Sequence, residues 1–339
     1  MGGGASLRVG LACNPAKAWR SAYEANRTPL PNASLPEPPI LTPPAPQRSD
    51  NGMRGIALVL LSSVFMTSGD LASKILANDN LPALQITWMR YGVFAAIMLT
   101  AVCFMGGLRT MRTRRPGLQI LRAVGVTISS ILFVSSLRDL PMADATATSF
   151  VSPLFVTALS IPILGEIVGW RRWAATLVGL IGVLIVVRPG GEGFHAASLF
   201  VLGSAFFWAF SLIVTRMMSR TETPVVTLAY SATLGFLLLS LLVPFVWQPL
   251  DGRAIATGVF IGAISTVGHW FLILAFRHAD ASLLAPFAYA QLIWASIFGY
   301  LVFQAVPDVW TYVGAAIIAA SGLYTAHRER LRARAVAGR

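Results

Sequence analysis

The sequence predicts an all-α integral membrane protein whose ten transmembrane helices form two inverted five-helix repeats. Three observations lead to this fold class: an apolar composition, arginines concentrated in alternate loops, and two halves with matching residues. Of the 339 residues, 55% are hydrophobic and 12% are charged, whereas a soluble domain carries about 25% charged residues. Because this polar surface is too small to cover a water-soluble globule, lipid must surround most of the chain.

Ten apolar runs are long enough to cross a membrane, for which a helix needs about 20 residues. Glycine, alanine and serine recur within the runs, as expected where helices pack closely in lipid. The ten predicted spans, in order, are 55–76, 84–105, 118–137, 143–164, 170–188, 196–218, 224–247, 254–276, 281–303 and 309–327.

Arginines set the predicted orientation, because positively charged loops stay on the cytoplasmic side. With ten spans, the following residues all fall on one side of the membrane: Arg48, Arg54, Arg109, Arg112, Arg114, Arg115, Arg171, Arg172, Arg216, Arg220, Arg277, Arg328, Arg330, Arg332 and Arg334. Both termini are therefore predicted to be cytoplasmic. The net charge of +12 follows from this topology and does not indicate a nucleic-acid partner.

Residues of the two halves match at a separation of roughly 140 positions, which indicates a duplication. Lys74 matches Arg216, and Trp170 matches Trp310. Because five spans per half is an odd number, the second half enters the membrane in the opposite sense. Inverted repeats around a midplane site are a recurring plan of secondary transporters.

The membrane part is flanked by two tails of different composition. Residues 1–54 are rich in proline and are predicted to form a disordered cytoplasmic tail, unless the true first residue is Met53. Residues 328–339 are predicted to form a basic cytoplasmic tail. Between them lie a first repeat over 55–189 and a second repeat over 196–327.

Short motifs in both halves point to one family. They are TWMRYG at 87–92, ADATATSFVSPLF at 143–155, Gly165-Glu166 followed by WRRW at 170–173, GLIGVLIVVRP at 179–189, and Ala285-Pro286 with Gln291. With these motifs the chain resembles the drug/metabolite transporter superfamily, in its ten-helix EamA family, over residues 55–327. The second half departs from the first by having Gln304 where the first half has Glu166.

The resemblance implies gradient-linked transport or exchange of a small amphipathic metabolite across the cell inner membrane. Riboflavin, S-adenosylmethionine and amino acids are metabolites of this kind, and the similarity is nearest to the group that takes up the first two. The expected partners are the lipid bilayer, a small-molecule substrate, and either a proton or a counter-substrate. A monomer and a homodimer both remain open.

Charged residues within spans are costly and usually face a cavity or a partner. Asp70 and Lys74 lie one turn apart in the first span, and Arg90 lies at a similar depth in the second. We predict that Asp70 pairs with Arg90 or Lys74. A static ion pair, a substrate-carboxylate or outer-gate role for Arg90, and proton coupling by Asp70 all remain open. Glu166, at the cytoplasmic end of the fourth span, is predicted to form a gate latch or a surface salt bridge.

The predicted substrate site lies near the midplane, where Pro153 and Pro286 free backbone carbonyls in equivalent spans. Gln291 is the predicted central polar contact. His269 is predicted either to contact substrate or relay a proton, or simply to pack. Aromatic side chains well inside their spans can stack on a planar substrate, and these are Trp208, Trp270, Tyr289 and Trp294.

Motifs of other protein classes are absent from the sequence. It has no GxxxxGKS/T, GxSxG, HExxH or CxxC pattern, so we expect neither an enzyme nor a bound cofactor or metal. Two alternatives to a carrier remain open at this point: a channel, and a membrane scaffold or enzyme without transport activity.

Overall fold

The computed structural model describes residues 52–105, 107, 111–165, 170–189, 195–218, 221–279 and 281–337. Within these ranges the chain forms helices, turns and loops, and no strand. The first half contains α1 (Gly52–Asn78), α2 (Ala83–Phe104), α3 (Pro116–Ser136), α4 (Met142–Ser149), α5 (Ser152–Leu164) and α6 (Trp170–Val187). The second half contains α7 (Ala197–Met218), α8 (Pro224–Leu242), a 3₁₀ turn (Val243–Val246), α9 (Gly252–His278), α10 (Ala281–Ala288), α11 (Ala290–Phe303) and α12 (Val309–Ala337).

These helices make a multi-pass membrane protein. Seven segments are long and apolar enough to cross a membrane, and three shorter apolar helices cover 173–187, 290–303 and 309–325. Each of the ten predicted spans overlaps one of these segments. Large apolar side chains remain exposed on the outside, as expected where lipid is the solvent; for example, Ile181, Leu241 and Leu301 are each more than half exposed.

The helix ends differ from the predicted spans in two places. α1 begins at Gly52, so only the last three residues of the predicted proline-rich tail lie within the described chain. α12 continues to Ala337, well past the predicted end of the last span at residue 327. The extension is rich in arginine and alanine, which are strong helix formers.

The two halves pack against each other in a repeating pattern. α1 packs along α9 of the second half, and its counterpart α7 packs along α3 of the first half. α2 pairs with its counterpart α8, and α6 pairs with its counterpart α12. If each helix is replaced by its counterpart in the other half, the same main helix pairs are therefore obtained.

The contact between α6 and α12 brings two backbones together at Gly182 and Gly314. A Cβ atom on Gly182 would lie 2.8 Å from the carbonyl oxygen of Gly314, and one on Gly314 would lie 2.5 Å from the carbonyl oxygen of Gly182. A side chain at either position would push the helices apart. Close approach through small residues is how helices gain packing energy in lipid.

The fourth and ninth predicted spans are each broken into two helices. α4 ends at Ser149 and α5 begins at Ser152, because the ring of Pro153 clashes with the carbonyl group four residues earlier. Pro286 lies within α10, whereas the second break falls at Tyr289, so this proline does not act in the same way.

Both broken segments end in the left-handed conformation. Gly165 has a φ of 68° after α5, and Gln304 has a φ of 54° after α11. Gln304 therefore occupies the same position after its helix as Gly165 does after α5. The sequence analysis had instead paired Gln304 with Glu166. Glu166 itself lies outside the described residues.

Alternate loops gather at opposite ends of the bundle. At one end, Nη1 of Arg188 lies 2.6 Å from Oδ2 of Asp308. At the other, the backbone N–H of Arg114 donates to Oε1 of Glu222 at 2.8 Å. We call these the Arg-poor end (loops 79–82, 137–141, 188–189, 247–251 and 304–308) and the Arg-rich end (loops 111–115 and 221–223).

Candidate functional site

A central cavity of about 250 Å³ lies among α1, α2, α3, α7 and α9, beside the break between α4 and α5. Both halves contribute to its wall. Its polar lining consists of Asp70, Arg90, Ser129, Ser130, Ser149, Ser152, Ser204, Ser265, Thr266, His269 and Gln291. Its aromatic lining consists of Tyr91, Phe94, Phe133, Phe150 and Trp208. An apolar wall with a few convergent polar groups is typical of small-molecule sites.

Asp70 and Arg90 lie beside each other in the wall of this cavity. Nη1 of Arg90 lies 3.7 Å from Oδ1 of Asp70, and the two side chains are only 14% and 11% exposed. This confirms the predicted pairing of Asp70 with Arg90. Because a charge-assisted hydrogen bond normally measures about 2.7–2.9 Å, the pair is long, and both groups keep hydrogen-bonding capacity for a ligand.

His269 lies one turn beyond Ser265 on α9. Its Nδ1 lies 2.8 Å from the carbonyl oxygen of Ser265, and since a carbonyl oxygen only accepts, Nδ1 carries the hydrogen. The ring stacks on Phe94 with centroids 6.1 Å apart. This tautomer leaves Nε2 as an acceptor, so the structure supports both the packing and the ligand-contact roles that the sequence left open.

Gln291 and Trp208 also line the central cavity, as predicted. Gln291 lies in the first turn of α11, directly after the second helix break, and Trp208 lies in the middle of α7. The Ser265 hydroxyl is buried and has no hydrogen-bond partner among the described residues. A buried hydroxyl without a partner is costly, and this one is available to a ligand.

Lys74 donates hydrogen bonds to carbonyl oxygens at and just after the end of α3. It does not form an ion pair with Asp70. Its Nζ donates to the carbonyl oxygens of Leu137 at 2.5 Å and Leu140 at 2.7 Å. The ammonium also lies 5.3 Å from the ring centroid of Phe303. A cation at the last carbonyls of a helix stabilises that helix end. The predicted gate or coupling role of Lys74 remains a prediction.

Three predicted aromatic residues lie outside the central cavity. Trp270 is 40% exposed on α9. Trp294 packs against Phe298 with ring centroids 6.3 Å apart, and its buried indole N–H has no partner in the described part of the chain. Tyr289 lines a different cavity. Substrate contacts by these three residues remain predictions.

The second cavity has a volume of about 550 Å³ and lies toward the Arg-rich end. It is lined by the last turns of α7 and α9 and the middle of α12, and includes Tyr289. Phe150 and Ser152 line both cavities. The rings of Phe150 and Tyr289 are in contact, with centroids 4.8 Å apart. An aromatic pair formed at the two helix breaks thus stands between the cavities.

The sequence analysis missed Arg122, a buried cation on α3. Its Nε donates to the Thr215 hydroxyl at 2.8 Å, and its Nη1 donates to the Ser231 hydroxyl. Arg122 forms no ion pair with any described residue. It falls inside the third predicted span, so the rule that singled out Asp70 would also have identified it.

Asp144, near the start of α4, is a second charged residue inside a predicted span that the sequence analysis missed. Its carboxylate accepts a hydrogen bond of 2.7 Å from the Thr311 hydroxyl of α12. The contact joins the two halves close to the Arg-poor end. It lies away from the central cavity and serves packing.

Comparison with known proteins agrees with these features. The profile of the EamA-like transporter family matches twice, over residues 53–188 and 195–325. The chain is 30% identical to an S-adenosylmethionine uptake transporter of Rickettsia felis, over 82% of this chain and 94% of the relative. It is also 30% identical to a riboflavin transporter of Vibrio cholerae, over 83% of this chain and 92% of the relative.

Two further matches are more distant. The pseudopaline exporter CntI of Pseudomonas aeruginosa is 26% identical, over 78% of this chain and 93% of its own. One crystal structure superposes with a TM-score of 0.58 at 20% identity, and covers 84% of this chain and 99% of its own. The latter match shows a shared fold.

Proposed function

We propose that this chain, which belongs to the EamA-like transporter family, carries a small amphipathic metabolite across the membrane by alternating access. The family and its relatives establish a transporter of small metabolites. The observation that carries the finer proposal is the central cavity, which lies within a bundle whose outside is apolar. Polar and aromatic side chains from both halves line it.

The cavity wall suits a solute that combines a planar ring with polar groups. Aromatic rings offer stacking surfaces, and Asp70, Arg90 and Gln291 offer directed polar contacts. The relatives of Rickettsia felis and Vibrio cholerae, each 30% identical, are named for S-adenosylmethionine and riboflavin, which are both solutes of this type. We therefore propose these two compounds as the first substrates to test.

The membrane arrangement that we propose is ten helices in two inverted repeats. The family profile matches each half separately, and the main helix pairs are unchanged when the halves are exchanged. Five spans per half reverse the second repeat. We propose that the Arg-rich end and both termini face the cytoplasm, as the arginine distribution favours, and that the protein lies in the cell inner membrane.

Alternating access requires one side to be closed while the other opens. Contacts between the halves close the Arg-poor end: Gln85 Nε2 donates to the Gln248 carbonyl oxygen at 2.8 Å, and the Gln248 N–H donates to Gln85 Oε1 at 3.0 Å. Toward the Arg-rich end, the Phe150–Tyr289 pair separates the central cavity from the second cavity. Parting this pair would join the two cavities into one cytoplasmic path.

We propose that transport is coupled to the gradient of either a proton or a counter-substrate. Asp70 and His269 are the candidates for proton coupling, because both line the central cavity. Lys74 and Glu166 remain candidate gate residues from the sequence. A monomer and a homodimer are both compatible with a site that lies within one chain.

Counterflow in proteoliposomes tests the carrier proposal. Vesicles that contain the purified full chain are preloaded with unlabelled S-adenosylmethionine or riboflavin, and uptake of the same labelled compound is measured. A carrier gives saturable uptake that the internal compound accelerates. Uptake that rises linearly with the external concentration and does not depend on the internal compound would indicate a channel instead.

Two tryptophan variants locate the site. Trp208→Ala should abolish counterflow, because this side chain lines the central cavity. Trp270→Ala is the comparison variant. Its side chain is 40% exposed and does not line the central cavity, so a site in this cavity predicts that counterflow persists, whereas a substrate contact by Trp270 predicts its loss. Loss of counterflow with Trp270→Ala alone would contradict the central cavity as the site.

A further inference from the structure

The ionisable side chains that line the central cavity balance in charge. Asp70 contributes one negative charge and Arg90 one positive charge. The other titratable groups in the lining, Tyr91 and His269, are mostly uncharged near neutral pH in their ordinary states. Arg122 lies on a neighbouring turn of α3, but hydroxyl groups hold it outside the lining. The cavity therefore offers one anion and one cation to a ligand.

The Asp70–Arg90 pair lies in the wall of the central cavity, where each group can also reach a ligand. At 3.7 Å the two groups attract each other without a close hydrogen bond. Buried charges are stable only when each finds partners for its hydrogen-bonding groups. A ligand with both charges would replace this one long contact by two short charge-assisted contacts, and the total charge of the site would stay zero.

Resting on the proposed function, we infer that the central cavity selects substrates with an α-amino acid headgroup, whose ammonium binds Asp70 and whose carboxylate binds Arg90. Such a headgroup carries the two opposite charges on groups that are bonded to the same carbon atom. The buried Ser265 hydroxyl, which faces Gly69 next to Asp70, supplies a further hydrogen bond to the headgroup. The aromatic part of the wall holds the planar remainder of the substrate.

Other classes of ligand fit this charge pattern less well. An amine without a carboxylate would satisfy Asp70 and leave Arg90 buried without a counter-ion, and a carboxylate without an amine would do the reverse. An uncharged ring compound would leave the ion pair intact and gain nothing from it. The headgroup thus distinguishes S-adenosylmethionine-like from riboflavin-like substrates at the same site.

Matched probes separate the headgroup from the ring. Binding is measured on the purified full chain as the ligand-dependent rise of its unfolding temperature over a concentration series. S-Adenosylhomocysteine carries the headgroup, whereas 5′-methylthioadenosine keeps the ring and sulfide but lacks it. Tryptophan is compared with tryptamine, which lacks the carboxylate, and with indole-3-propionate, which lacks the amine. We expect each complete headgroup to lower the dissociation constant at least tenfold, as charge-assisted hydrogen bonds would.

Charge-removing variants assign each half of the headgroup. Asp70→Asn should abolish the preference for tryptophan over indole-3-propionate, and Arg90→Gln should abolish the preference over tryptamine. Because either variant leaves a buried charge without its partner, the double variant D70N/R90Q serves as the folding control. It should lose both preferences and still elute as a folded, monodisperse species on size-exclusion chromatography.

The outcomes separate this inference from the carrier proposal. If the unmodified protein binds 5′-methylthioadenosine or riboflavin as tightly as the headgroup-bearing probes, the headgroup inference is wrong, while counterflow of riboflavin would still establish a carrier. Headgroup preferences that survive in D70N/R90Q would also overturn it. Absence of counterflow with every compound would instead contradict the proposed function.

Discussion

Replacing Lys74 by methionine should destabilise the protein without changing substrate binding. Lys74 is 7% exposed, and its ammonium donates to two carbonyl oxygens at 2.5 and 2.7 Å. Each hydrogen bond from a charged group contributes about 1.5–3 kcal/mol, and the contact with Phe303 adds about 0.5–1 kcal/mol. Methionine keeps the apolar stem and removes the cost of burying a charge, so the net loss should be about 2–4 kcal/mol.

Denaturant titration of the purified protein in mixed micelles measures this loss, followed by tryptophan fluorescence. Arg138→Met is the control, because the exposed Arg138 donates to Asn80 at 2.8 Å and its loss should change stability by less than about 0.5 kcal/mol. If K74M keeps full stability but weakens substrate binding, the structural reasoning is wrong and Lys74 acts on the substrate or gate.

Three further predictions test the packing and the site. In a double-mutant cycle, Asp70→Asn and Arg90→Gln should each destabilise by about 3–5 kcal/mol, and D70N/R90Q by clearly less than their sum; additive losses would show that the pair is not coupled. Gly314→Val should abolish accumulation of folded protein on size-exclusion chromatography, whereas Gly117→Ala, with open space around it, should not; a folded Gly314→Val would refute the backbone contact. Phe150→Ala should produce a several-fold faster substrate leak from proteoliposomes, and an unchanged leak would remove this residue as a barrier.

The spans and the charged pair could be predicted because they rest on strong energetic rules. A charged side chain in lipid costs enough that Asp70 and Arg90 had to meet a partner or a cavity, and the structure brings them together. The same rule applied to span 3 would have found Arg122. Arg122 was thus predictable from its position in the sequence.

Side-chain direction in apolar helices could not be predicted in the same way. Trp208 and Trp270 both lie deep within apolar spans, yet one lines the cavity and the other is exposed. When lipid and neighbouring helices are equally apolar, hydrophobic periodicity does not distinguish the two faces. The second helix break was also not predictable at its observed position, because Tyr289 itself carries no helix-breaking signal.

The contact between Gly182 and Gly314 has a consequence for how the protein is made. α6 emerges from the ribosome long before α12, which is the last helix of the chain. Until α12 inserts, the glycine face of α6 lacks the neighbour that it is shaped to fit. In the same way, α1 lacks its main partner until α9 has been made, and α3 lacks its main partner until α7 has been made. Since sequence-distant partners form late, the first half cannot mature alone during synthesis, and a nascent chain that stops before α12 should be recognised by membrane proteases as unfinished.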